Sequence, residues 1–154
     1  SETPIVVVCS GVKSFLDVDK TAEALETFGV TAVGYKTDCF PLFYTSGSDI
    51  KLQHCYKNTK GVAGLFKLNK ENKLNSSILV LNPVPKKHEI PFQEMENIIS
   101  NAIVEMESGG VTGKETTPYL LKTIAQKTNN KSLETNTRLA LNNIYLGAKI
   151  AQKT

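Results

Sequence analysis

The chain has 154 residues, 40% hydrophobic and 21% charged, and 18 Lys plus Arg set against 15 Asp plus Glu leave a formal charge of +3. That length suits one domain with a substantial core, and no window reaches the ~20 apolar residues that would span a bilayer. Arg138 is the only arginine and the lysines are scattered, which disfavours a nucleic-acid groove and suits an anionic small molecule.

The first element expected is residues 5–9, IVVVC, a run that reads as a strand buried on both faces. It passes directly into Ser10-Gly11 and delivers Lys13 to its end. Residues 19–28 place Ala22, Leu25 and Phe28 at helical spacing, with Asp19 as N-cap and Gly29 past the end. Residues 30–35, VTAVGY, form a second strand, and strand, helix and strand together make a βαβ unit with parallel strands. Residues 36–48 lack a clean period and carry Pro41 and aromatics, so they are expected to be a long ordered loop able to cover a site.

Residues 50–56 alternate with period two, as in an antiparallel or edge strand. A helix over 58–73 is weakened by Gly61 and Gly64. Ile78, Leu79, Val80 and Leu81 repeat the opening design, an apolar strand stopped at Asn82-Pro83. Helices follow over 91–108, 117–127 and 132–152, with Pro91 and Pro118 near the first turns. The sum is a layered α/β/α fold around a mixed, largely parallel sheet, with a helical C-terminal third.

Three cysteines, Cys9, Cys39 and Cys55, without a CxxC spacing, fit a reducing, cytoplasmic setting. With His54 and His88 the only histidines, an N/S metal site made by this chain alone is not expected. No targeting peptide is visible. Only Thr3-Pro4 stands between the first residues and the strand, so the numbered sequence is expected to begin inside a larger protein.

Three segments bear on chemistry. SGGVTGKET, residues 108–116, imitates a phosphate-binding P-loop, but Ser108 replaces the first glycine, Glu115 replaces the Mg²⁺-binding Ser/Thr, and a helix precedes it where a strand should. It is better explained as a helix end and turn. Lys13 at a strand mouth could supply an amine that attacks a sugar carbon to give an imine, because desolvation favours the neutral form; from spacing alone, a lone lysine after a strand is more often a snorkelling surface group. Asn136 and Asn143 are seven apart and share a helical face, where they either bond neighbouring groups or read a polar ligand.

VVVCSGVKSFLD, LETFGVTAVGY, FPLFYTSGS, NPVP with EIP, GVTGKETTPYLL and SLETNTRLALNN occur here in the same order as in the pseudouridine-5′-phosphate glycosidases, which include indigoidine synthase A-like proteins and related C-glycosynthases. The chain resembles that family over its whole length, but only its C-terminal half, so that residues 1–154 correspond to half of a domain. The resemblance implies reversible cleavage of the C–C glycosidic bond of pseudouridine 5′-phosphate to uracil and ribose 5-phosphate. It implies that Lys13 is the nucleophile and forms an imine with the opened ribose, and that Asn136 contacts substrate. It further implies a divalent metal, usually manganese, and a homotrimer.

The family's acid, a second lysine and its metal-binding acidic segment belong to the upstream half; before Lys13 this sequence has only Glu2. Loss of a general acid alone removes about 10²–10⁴-fold in rate. The chain by itself is therefore expected to be inactive. Two other readings stand beside this one: a non-catalytic assembly module that pairs with the upstream half, and a Schiff-base aldolase acting on a sugar phosphate.

Overall fold

The computed structural model describes residues 3–154. Four strands, β1 (Val6–Cys9), β2 (Thr31–Tyr35), β3 (Cys55–Tyr56) and β4 (Ile78–Leu81), form one sheet in the order β1-β4-β2-β3. All three pairings are parallel, with Val6 opposite Ile78 and Thr31 opposite Ile78 on the other side. Antiparallel pairing is confined to two isolated bridges, Gly11 with Leu42 and Cys39 with Lys51. The opening strand–helix–strand unit is parallel as expected, but β4 is inserted between its two strands.

The helices are α1 (Val18–Thr27), α2 (Thr59–Glu71), α3 (Phe92–Ser108), α4 (Thr116–Lys127) and α5 (Lys131–Ala151). Asp17, not Asp19, caps α1: its carboxylate accepts from the Lys20 N–H, and Asp19 falls in the first turn. α2 forms despite its two glycines because Asn58 caps it by accepting from the Gly61 N–H, and Val62 and Ala63 pack inward. At Gly61 a side chain would meet the Tyr56 ring, which sits 2.5 Å from the position of a Cβ.

Period-two alternation splits the sheet into two faces. One face is dry: Val33, Val62, Ile78, Val80, Leu146 and Ile150 form a core joined by Val6 and Val8, so α2 and α5 cover it. α1 lies against β2. A cleft of about 450 Å³ runs between Ala22 and Leu25 of α1, Ala32 of β2 and the 50–54 segment. A second core, around Ile90, Met95, Ile99, Leu120 and Ile124, joins α3 to α4 and to Tyr44 of the long loop.

Two expectations change. β1 is not buried on both faces: it is an edge strand, and Ile5 and Val7, pointing away from α5, are 48% and 43% exposed. The alternating 50–56 segment is an edge strand, as expected, but only at Cys55–Tyr56, and it pairs parallel with β2. Its earlier residues bond instead to the long loop, with the Phe40 N–H donating to Ile50 O and the Leu52 N–H to Asp38 O. The P-loop look-alike is a helix end, as expected, with Gly109 as C-cap of α3 and Gly110 at φ 66°.

Candidate active site

Strand ends decide where Lys13 stands. β1 stops at Cys9 and β4 at Leu81, and the polar residues that follow, Ser10 and Asn82, are both buried. Burying a hydroxyl and an amide requires partners. Asn143 of α5 supplies them: its amide donates to Ser10 Oγ at 3.0 Å, and its Oδ1 accepts from Asn82 Nδ2 at 2.9 Å. The clamp joins the last turns of two parallel strands to one helix. Beside it, the Asn142 amide reaches Pro83 O at 3.4 Å.

The turn bearing Lys13 is then gripped from outside by the loop expected to cover a site. The Phe43 N–H donates to Ser10 O at 3.0 Å, the Ser14 hydroxyl donates to Leu42 O, and Gly11 bridges Leu42. Gly11 is at φ 80°, and a Cβ there would lie 1.7 Å from Pro41 O, so only glycine fits between turn and loop. Phe43 is itself at φ 67°, a conformation that costs a bulky L-residue roughly 1–2 kcal/mol. Its bond to Ser10 and its edge-on contact with the Tyr44 ring, 5.0 Å between centroids, hold it there.

The loop is anchored at its far end too. Glu89 accepts from both the N–H and the hydroxyl of Ser46, at 2.9 and 2.7 Å, and pairs with Lys86 at 3.0 Å. Burial pushes the Glu89 carboxyl upward, but the Ser46 bonds and the Lys86 ammonium outweigh it and hold the group below the ordinary glutamate value. The Thr45 hydroxyl donates to Ile90 O, and the Ile90 N–H donates to Tyr44 O. Burial raises the Cys9 thiol, partly countered by the Gly11 N–H, and this half-buried group is a weak nucleophile beside Lys13.

Lys13 is half-buried, with Nζ 5.9 Å from the centroid of Phe15, and it forms no ion pair among the described residues. Asn136 is exposed, and its amide bonds to no other described residue. No contact joins the two. They lie at the same end of the sheet, however, because α5 runs antiparallel to the strands: Gly147 adjoins Val8, whereas Asn143 adjoins Ser10. Seven residues further back along α5, roughly 10 Å at 1.5 Å per residue, Asn136 stands beyond the carboxyl ends of the strands on the face of Asn143. That is where open α/β sheets hold ligands.

Of the two asparagines, Asn143 bonds neighbouring groups and Asn136 presents a free amide. Ser10, Asn82 and Glu89 were not singled out in the sequence. The available signal was that a polar residue ends each apolar strand. A cleft of about 410 Å³ opens next to the turn, between Ser14 and Phe15 on one side and Met95, Glu96 and Ile103 of α3 on the other; Lys13 is not on its wall. Among the described residues no group of three or more His, Cys, Asp or Glu side chains is placed to hold a metal ion.

Residues 1–153 match the family described as indigoidine synthase A like protein. A curated relative from Fervidobacterium nodosum, named pseudouridine-5′-phosphate glycosidase, is 43% identical over 99% of this chain and 51% of its own length. A Staphylococcus aureus relative of the same name is also 43% identical, over 98% of this chain and 49% of its own. The chain thus spans about half the length of the curated relatives it matches. Among solved structures, an indigoidine synthase A-like protein from Thermotoga maritima superposes with TM-score 0.84 at 38% identity, covering 97% of this chain and 50% of its own. The prealnumycin C-glycosynthase AlnA, solved in complex with ribulose 5-phosphate, superposes with TM-score 0.87 over 98% of this chain and 51% of its own; at 24% identity it bears on the fold alone. From its first strand to its last helix, the chain belongs to the indigoidine synthase A-like family.

Proposed function

We propose that this chain is the imine-forming half of a pseudouridine-5′-phosphate glycosidase, with Lys13 as nucleophile and Asn136 as a substrate contact. The observation that carries the proposal is the seat of Lys13: a turn at the carboxyl end of β1, clamped by Asn143 from within and by residues 41–43 from without. Such rigidity is what a nucleophile needs to meet one carbon in one orientation. The name carried by the curated relatives supports the substrate.

In this mechanism Lys13 Nζ adds to C1′ of the ribose as the C1′–O4′ bond opens and the ring oxygen takes up a proton. A proton delivered to C5 of uracil lets the C1′–C5 bond break. Its electron pair returns to the pyrimidine ring, while the nitrogen lone pair closes the C=N bond to C1′. Water then hydrolyses the imine, releasing ribose 5-phosphate and the free amine. A C–C bond has no heteroatom leaving group to protonate, so its cleavage needs the C5-protonated ring to take the bonding pair and the lysine nitrogen to donate its lone pair to the carbon left behind.

The proton for C5 is assigned to the upstream half, as in the family resemblance, and so are the ligands of any divalent metal; the described residues offer no ligand set, and no step is drawn through a metal. The same resemblance, rather than any contact in this chain, supports a homotrimer, and the three free cysteines support a reducing, cytoplasmic setting. Reduction with borohydride in the presence of ribose 5-phosphate tests the assignment. A sugar-phosphate mass on the peptide containing Lys13, absent in Lys13→Ala, is expected; label on another lysine in an active preparation overturns it.

A further inference from the structure

Parallel sheets are stable when both faces are covered. Here α2 and α5 pack over one face, whereas on the other Val7 of β1 and Ile5 just before it stand 43% and 48% exposed. β1 also ends the sheet. Its odd-numbered residues bond to β4, with Ile5 O accepting from the Ile78 N–H and Cys9 O from the Asn82 N–H, so alternation turns the N–H and C=O groups of Val6 and Val8 toward the open edge. The long loop closes that edge only at its top, where Phe43 takes Ser10 O. No charge, proline or bulge within β1 guards the rest, the devices by which a solvent-facing edge avoids pairing.

We infer that β1 is an interior strand of the assembled protein: the upstream half adds a strand along Val6 and Val8 and lays apolar side chains over Ile5 and Val7. This rests on the proposed function for the identity of the occupant. The length argument supports it independently, since the relatives carry about as much chain again as the part matched here. Such an arrangement carries the sheet from this half into the other. It also sets a strand of the upstream half beside β1, the strand that leads to Lys13, so residues at whichever end of it lies nearest Ser10 would share the mouth of the site.

The test mixes this chain with the unmatched half of the Fervidobacterium nodosum relative. Iodoacetamide labelling of the thiol introduced by Val7→Cys is followed by peptide mass, with the exposed thiol of Cys55 as internal reference. Imine trapping with ribose 5-phosphate is read on the same mixture. Labelling at position 7 should slow by about tenfold or more on mixing while Cys55 is unchanged, hydrogen exchange at Val6 and Val8 should slow with it, and Val7→Lys should abolish that slowing of exchange. Protection without trapping leaves this surface standing and removes the proposed chemistry. Trapping with unchanged labelling at position 7 overturns the surface and leaves the chemistry. The same protection in this chain alone, growing with its concentration, makes a second copy the occupant and overturns the inference, as does an unprotected edge without any complex.

Discussion

The two ends of β1 are built to opposite rules. At its carboxyl end the buried polar side chains, Ser10 and Asn82, are both paired with Asn143, and the half-buried Ser14 hydroxyl donates to Leu42 O. Along its body, apolar side chains are left in water. A fully bonded turn next to a partly uncovered strand shows that local order and complete burial are separate requirements. Directed hydrogen bonds can fix the seat within one half, whereas non-directional apolar cover must come from wherever surface is available.

Substitutions can break this contrast or sharpen it. The largest effect is on rate: under the proposed function, Lys13→Ala in the assembled protein should lower turnover of pseudouridine 5′-phosphate by about 10⁴-fold without moving the urea midpoint of this chain. Gly11→Ala attacks the seat directly, forcing turn and loop apart, and should cost about 4 kcal/mol in a urea titration. Asn143→Ala strands two buried polar groups and should cost about 2–3 kcal/mol, whereas Asn136→Ala, which strands none, should stay within about 0.5 kcal/mol and show itself as a raised KM.

Glu89→Gln is smaller and depends on pH. Because the folded carboxyl sits below its ordinary value, its stabilising contribution is present above the unfolded pKa, about 4.3, and disappears as pH falls through the folded one. The wild type should exceed the variant by about 1.5 kcal/mol at pH 7, and the two melting temperatures should converge on acidification below about pH 4. Smallest of all is Val7→Thr, which in this chain alone should change stability by less than about 0.5 kcal/mol. A large loss there would mean that the strand is already covered.

Local pattern made most elements legible. β4 and its stop at Asn82-Pro83 follow directly from four apolar residues bounded by a turn dipeptide. β1 was legible as a strand but not as an edge, because hydrophobicity records that a residue is to be buried without saying by which segment. Residues 50–54 misled for a different reason: their alternation matches a strand, yet Ile50 O accepts from the Phe40 N–H of the long loop and the Leu52 N–H donates to Asp38 O of that loop, a pairing set by tertiary context. Asp17 and Asp19 are both plausible caps, and only the geometry of the turn at Lys13 selects the earlier one. Within the site, the strand-mouth position of Lys13 was legible and its grip was not. That grip runs largely through main-chain groups of Leu42 and Phe43, which leave no trace in residue type.

The place of β4 between β1 and β2 also orders events in time. During synthesis β1 and β2 emerge before β4, yet neither can pair with the other across the gap that β4 will fill. Until Leu81 has left the ribosome, both keep strand edges open and the turn carrying Lys13 lacks Asn82; until α5 follows, it lacks Asn143 as well. Non-local parallel pairing of this kind forms slowly, and its exposed precursors are prone to associate. The central strand is therefore a checkpoint on the nascent chain, and a pause in translation before it should raise aggregation more than a pause after α5.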